Sequence, residues 1–197
     1  MKRLIAAIAA GAAIFAAPVA HAETPTECPT LYSAGYKGQS IGLPDPGGIF
    51  PWEGTYQHEQ ARLAAETVAA VDAYAESCPG ADINIVGYSY GAAVVHTALE
   101  EINTRPYANR VHVNLYGNPR RDGGIEDTLS GIPLTGIVFR GPGINPENIG
   151  SFQDTCNPRD GICDFPHPLR HLIKSVDHVI GYFTGAHHYP DLIKEIA

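Results

Sequence analysis

The chain has 197 residues, 44% of them hydrophobic and 17% charged, a balance that fits one compact globular domain and excludes a disordered or fibrous protein. Its formal net charge is −8 and no segment carries a basic stripe, so the surface would repel a phosphate backbone and no nucleic-acid partner is expected.

The first stretch, MKRLIAAIAAGAAIFAAPVAHA, has basic residues at Lys2 and Arg3, an apolar run from Leu4 to Val19, and the small-x-small triplet Ala20-His21-Ala22. This is the pattern of a secretory signal peptide cleaved before Glu23. The apolar run is shorter than the ~20 residues of a spanning helix. A signal peptide over residues 1–22 is therefore expected rather than a membrane anchor or a buried helix, followed by a single domain over residues 23–197. The protein is expected outside the cell or in its envelope, with no transmembrane segment, as a monomer. Losing two basic and no acidic residues takes the net charge from −8 to about −10. Four cysteines remain, Cys28, Cys78, Cys156 and Cys163. In an exported chain they suggest two disulfides. Of the three possible pairings, the local one joins Cys156 to Cys163 and leaves Cys28 with Cys78.

Along the expected mature chain, TLYSAGY (30–36) reads as a first strand and the Pro/Gly-rich GLPDPGGIFPWEG (42–54) as a long loop. Ala61, Ala64, Ala65, Val68, Val71 and Tyr74 recur at helical spacing between about Tyr56 and Ser77. Strand INIVGY, helix GAAVVHTALEEI, strand VHVNLYG and strand TGIVFRG around Val138 follow. Strands separated by helices predict an α/β fold, a mostly parallel central sheet covered on both faces.

Ligands of such sheets sit at the carboxyl ends of the strands. At one of these ends lies Gly87-Tyr88-Ser89-Tyr90-Gly91, a G-x-S-x-G sequence between a strand and a helix, the arrangement that exposes a nucleophilic serine on a tight turn. With 7 serines and 21 glycines in the chain, about 0.08 such matches arise by chance, so Ser89 is the expected nucleophile. A serine needs a histidine base and an orienting acid, in the chain order Ser, Asp or Glu, His. Asp160, inside CNPRDGIC, is the candidate acid, and His187 or His188, in GYFTGAHHY, the candidate base. The backbone N–H of Tyr90 is the expected oxyanion donor, with Tyr36, after the first strand, as the second.

The segment CPGADINIVGYSYGA resembles the nucleophile segment of cutinase-family serine esterases, and CNPRDGIC is similar to their disulfide loop with the catalytic aspartate in its middle. DGICDFPHPL and GYFTGAHHY are more similar to the PE-PPE domain esterases of actinobacteria. LYGNPRR resembles both those and the phage lysin B esterases. The resemblance runs from Thr30 to about Tyr189. It implies a three-layer α/β/α hydrolase fold, Ser89 as nucleophile, Asp160 as acid, and disulfides Cys28–Cys78 and Cys156–Cys163. It also implies a cofactor-free esterase acting on a lipid, polyester or cell-wall ester. Two departures stand out. Tyr90 replaces the family's usual glutamine, which leaves the backbone N–H intact. Tyr189 follows His187 by two positions and His188 by one, where the family spacing is three; His187, nearer that spacing, is preferred.

Two other classes compete. His167 and His171, spaced i, i+4, with Asp164 and His178 nearby, would suit a zinc-dependent hydrolase, though no HExxH pattern or spaced third ligand supports it. A secreted binding protein that kept the fold and lost catalysis is the other. Phe50 and Trp52 in the long loop would rim an acyl groove or plug the sheet edge.

Overall fold

The computed structural model describes residues 28, 31–33, 43, 56–132 and 137–190. The expected signal peptide, Tyr36, Phe50 and Trp52 lie outside the described residues. Within them, β1 (Leu31–Ser33), β2 (Ile83–Tyr88), β3 (Val111–Tyr116) and β4 (Ser151–Thr155) form one sheet in the order β1-β2-β3-β4. Every pairing is parallel. The main helices are α1 (Tyr56–Ser77), α2 (Tyr90–Ile102), the single turn α3 (Ile125–Thr128) and α4 (Leu172–Gly181). Among the described residues no helix is long and apolar enough to cross a membrane.

The alternation of the strands decides which face holds the core. Ile83 and Ile85 of β2 and Val111, Val113 and Leu115 of β3 are fully buried against α1 and α2 in one apolar cluster. The intervening Asn84 is exposed, and His112 and Asn114 are only half-buried. On this second face the carboxyl end is closed by Val86 and Tyr116 packing on Tyr189. α2 is buried on all sides from Tyr90 to Leu99, because it lies between the sheet and α1. The α/β architecture read from the alternation of elements is thus present, with α1, β2, α2 and β3 within a residue or two of their expected bounds.

One element differs. Of the strand expected around Val138, Val138 to Arg140 are irregular and Ile137 makes a single bridge. The apolar alternation there is real but serves a loop, which packs Ile137 and Phe139 onto Tyr56, Leu63 and Tyr90. The fourth strand is instead Ser-Phe-Gln-Asp-Thr of β4, at the end of the sheet order. Its residues are exposed or half-buried, so it has none of the hydrophobic pattern of a central strand and is held by its register on β3.

Both disulfides join the pairs implied by the resemblance. Cys28–Cys78 ties the N-terminal side to the end of α1 across 50 residues, and Cys156–Cys163 closes a loop across 7.

Close approach of α2 to β2 requires Gly87. A Cβ there would lie 2.8 Å from Ala92 Cα and 2.9 Å from Leu115 Cδ2. Gly87→Ala is expected to lower stability by about 1–3 kcal/mol, the usual cost of overpacking a rigid core. Urea unfolding checks this as a lower midpoint at unchanged slope; an unaltered midpoint would mean that α2 can shift away without loss.

Candidate active site

β2 ends at Tyr88 and α2 begins at Tyr90, leaving a single residue, Ser89, to turn the chain. Its backbone sits at φ 54° and ψ −125°, a left-handed conformation costly for any residue with a Cβ. The surroundings hold it there: Ser89 N–H donates to Tyr116 O at 2.9 Å, and Ser89 O accepts from Ala92 N–H at 2.9 Å. The Ser89 side chain does not cap the helix it precedes. The hydroxyl is left for other work. Tyr90 opens α2, so its N–H has no acceptor within the helix and lies beside Ser89 as a ready donor.

Asp160 lies in the disulfide-closed loop and is fully buried. Its backbone N–H donates to Asn157 O, and its Oδ1 accepts from Ile162 N–H at 3.0 Å. Its Oδ2 accepts from His187 Nδ1 at 2.7 Å and from the Tyr189 hydroxyl at 2.5 Å. Burial alone would raise the pKa of this carboxyl. The hydrogen bonds from His187 and Tyr189, the His187 charge and the Ile162 N–H outweigh it and hold Asp160 below the ordinary aspartate range. Asp160 is therefore a carboxylate at neutral pH, an acceptor only, and His187 Nδ1 must carry the proton. That assigns the tautomer of the neutral ring: Nε2 is the basic nitrogen. It is buried and has no hydrogen-bond partner among the described residues.

The ring of His187 is enclosed by aromatic groups. Tyr88 stacks on it at 4.9 Å, Tyr182 tilts against it at 5.0 Å, and Tyr189 meets it edge-on at 5.9 Å. The Tyr88 hydroxyl also donates to His187 O at 2.9 Å. Beneath the ring lies Gly117, at φ 59°, where a Cβ would come within 2.5 Å of His187 Cε1. Gly117 follows Tyr116, the acceptor of the Ser89 N–H, and Tyr88 precedes Ser89. The contacts of His187 thus bring it to the two backbone segments that position the serine.

Of the sequence-predicted residues, Asp160 and His187 meet directly, from the disulfide loop and the C-terminal segment. Ser89 lies at the end of β2, next to Tyr88, which stacks on His187, and no hydrogen bond joins its side chain to His187 Nε2 among the described residues. His188 is exposed; its N–H donates to Gly185 O and its carbonyl accepts from Asn157 Nδ2, so its backbone fixes the turn that presents its neighbour. The histidines of the zinc reading do not form a helical pair. α4 begins only at Leu172, after His167 and His171, while buried His178 Nδ1 is engaged by Asp164 O at 2.5 Å. Among the described residues the one cluster of possible ligand atoms is Cys156, Asp160 and Cys163, whose two sulfurs are already joined to each other.

Sequence reasoning missed Tyr189, Tyr88, Tyr182 and Gly117. Tyr189 carries the most weight of these. It bridges the acid and the loop by donating to Asp160 Oδ2 and accepting from Asn157 N–H at 3.2 Å. Burial and the hydrogen bond to Asp160 keep its hydroxyl protonated well above the usual tyrosine range. A tyrosine two residues after a candidate base was visible in the sequence, but nothing there shows which carboxylate it would meet.

Beside Ser89 lies a cavity of about 180 Å³ whose other walls include Tyr56, Tyr90, Ile125, Ile137, Phe139 and Ile162. It can take an apolar chain attached to a carbonyl held at the serine.

A family model described as Cutinase matches residues 45–187. No curated protein matches the chain. Among solved structures, lysin B from Mycobacteriophage D29 is similar at a TM-score of 0.46 and 16% identity, over 86% of this chain and 85% of that one.

The strain at Ser89 can be measured directly. Ser89→Gly relieves the left-handed conformation, whereas Ser89→Ala keeps it, so the glycine variant is expected to be more stable than the alanine variant by about 1 kcal/mol. Paired urea titrations check the order; an alanine variant as stable as the glycine one would mean that the turn costs nothing.

Proposed function

Because the chain belongs to the cutinase family and is a carboxylic ester hydrolase, we propose that Ser89, His187 and Asp160 are its catalytic triad and that the ester's acyl chain lies in the cavity between Tyr56, Phe139 and Ile162. The observation that carries this reading is the buried His187, hydrogen-bonded through Nδ1 to Asp160 at 2.7 Å while its Nε2 has no partner among the described residues.

In the proposed reaction Ser89 Oγ attacks the ester carbonyl as its proton passes to His187 Nε2. Asp160 stabilises the imidazolium that results. The negative charge developing on the carbonyl oxygen is met by the Tyr90 N–H at the head of α2, with the Tyr36 N–H as the second donor. The tetrahedral intermediate collapses, His187 returns its proton to the departing alcohol, and an acyl group is left on Ser89. Water, deprotonated by the same nitrogen, then releases the acid and restores the serine. No step requires a metal or a cofactor. Export by the segment over residues 1–22, with the two disulfides formed outside the cytosol, completes the reading. Lipid, polyester and cell-wall esters are the substrate classes in view.

Hydrolysis of p-nitrophenyl butyrate and labelling by a fluorophosphonate test the triad. Ser89→Ala and His187→Gln are expected to lose turnover by about 10⁴-fold or more, since triad members act as a unit, while His188→Gln keeps most of it. An inactive His188→Gln beside an active His187→Gln would transfer the role of base to His188.

Tyr189 is read as a positioning residue that acts through Asp160. Tyr189→Phe removes one hydrogen bond to a charged group, so kcat is expected to fall about tenfold with KM little changed. That bond favours the carboxylate. Without it the Asp160–His187 pair holds its proton more tightly, and the acidic limb of the pH–rate profile moves to higher pH. An unmoved limb would leave Tyr189 a purely structural part.

A further inference from the structure

α4 is inside out. A helix on a soluble protein turns its apolar stripe to the core, but α4 buries its small and polar side: Ser175, His178 and Gly181 are its buried residues. Ser175 Oγ donates to Pro166 O at 2.6 Å, His178 meets Asp164 O, and Gly181 lies against Arg159 O so closely that a Cβ would come within 2.2 Å of it. The opposite side carries Leu172, Ile173, Val176 and Ile180, at i, i+1, i+4 and i+8, and the stripe extends to Leu169 before the helix and Phe183 after it. These six are all exposed, Leu169 by 87%, Ile173 by 89% and Phe183 by 79%. A contiguous apolar patch of this kind marks a surface that meets another phase or partner.

The helix cannot roll to hide the stripe. The contacts just named pin its inner side to the Asp160 loop, and Arg159 adds a two-pronged pair with Asp177 at 2.9 and 2.8 Å. What covers the stripe is indicated by charge. The chain as a whole is acidic, at −8, yet between Asp164 and Asp177 it has no acidic residue and carries Arg170 and Lys174 with His167 and His171. Arg170 and Lys174 border a shallow hollow together with Leu172, Ile173 and Asp177, whose carboxylate is paired with Arg159. An exposed apolar stripe flanked by cations matches a helix lying in the plane of an anionic lipid surface.

We propose that α4 docks this protein on anionic lipid surfaces, with Leu169, Leu172, Ile173, Val176, Ile180 and Phe183 entering the interface and Arg170 and Lys174 meeting the headgroups. Docking there has a consequence for the site. Phe183 packs edge-on against Tyr182 at 5.2 Å, and Tyr182 packs on His187, so the docked stripe is continuous with the enclosure of the proposed base. The docking does not depend on the hydrolytic reading.

Co-sedimentation of the Ser89→Ala protein with vesicles keeps binding apart from hydrolysis. Vesicles of phosphatidylcholine with phosphatidylglycerol are expected to bind it at least tenfold more strongly than phosphatidylcholine alone, with the difference shrinking as salt rises. Ile173→Glu and Leu169→Glu, both at exposed positions and checked for folding by circular dichroism, are expected to lose binding at least tenfold. Arg170→Gln with Lys174→Gln should lose only the preference for the anionic lipid. The proposal is overturned if the parent does not partition onto the anionic vesicles, or if Ile173→Glu partitions as the parent does. It is equally overturned if sedimentation velocity shows a dimer that Ile173→Glu dissolves while vesicles bind neither protein, which would assign the stripe to a second copy. Turnover of soluble p-nitrophenyl acetate by the Ser89 protein, read in parallel, reports on the triad alone.

Discussion

The hydrogen bond between Asp160 and His187 is the interaction around which the C-terminal half of the molecule is organised. Asp160 is a fully buried carboxylate, and desolvating such a group costs several kcal/mol. Three donors, His187 Nδ1, Tyr189 Oη and Ile162 N–H, offset that cost, each hydrogen bond to a charged acceptor contributing about 1.5–3 kcal/mol. The arrangement exists only if two chain segments 27 residues apart are held in register. Cys156–Cys163 shapes one of them, and Asn157 fastens the other by donating from Nδ2 to Ala186 O and His188 O. The wide π-type turn Tyr182–Ala186, broken by Gly185 at φ 103°, then delivers His187 onto Gly117.

Two further buried polar clusters fix the loops at the carboxyl end of the sheet. Asn118, just after β3, donates to Asp154 at the end of β4, and its Nδ2 also meets His96 Nδ1 of α2. Arg120 reaches from the same loop to Thr97 at 2.6 Å and Glu100 at 3.0 Å, both on α2, and to Gly141 O. These contacts give the Asn-Pro-Arg sequence after β3 a structural role, clamping the loop that contains Gly117. On the other side of Ser89, Glu126 of α3 is buried and accepts from Tyr56 Oη at 2.7 Å and Gln60 Nε2 at 2.8 Å. Burial raises the pKa of Glu126 despite these donors and the Arg120 charge. Its contacts tie the start of α1 to the wall of the apolar cavity, where Tyr56 and Ile125 line the space beside the serine.

α4 belongs to the same design. Because its inner side is pinned to the Asp160 loop by Gly161, His178 and the Arg159–Asp177 pair, anything that holds its outer side is mechanically close to the acid and the base. The exposed apolar stripe and the side that packs on the Asp160 loop are opposite faces of this one helix.

Local pattern alone determined a good part of this. The strand-to-helix switch around Gly-x-Ser-x-Gly identifies the turn, because a single residue between a buried strand and a buried helix leaves few backbone conformations, and at Gly87 a Cβ would meet Ala92 and Leu115. The helical spacing of α1 and the apolar runs of β2 and β3 are equally legible, since burial against both neighbours imposes them residue by residue. The chain order Ser, Asp, His singled out Asp160 and the short spacing of Cys156 and Cys163 offered the local pairing; the family resemblance implied the same acid and the same cysteine pairs. The tertiary structure decided the rest. β4 has no hydrophobic signature, being an edge held by backbone pairing, and the Ile137–Phe139 alternation mimics a strand because a loop there buries every second residue. Which histidine meets Asp160, that Tyr189 shares its oxygen, and that α4 faces outward all depend on how segments far apart in sequence are packed together. A sequence carries the periodicity of each element but not the rotation of one element against another, and it is that rotation which brings a side chain to its partner.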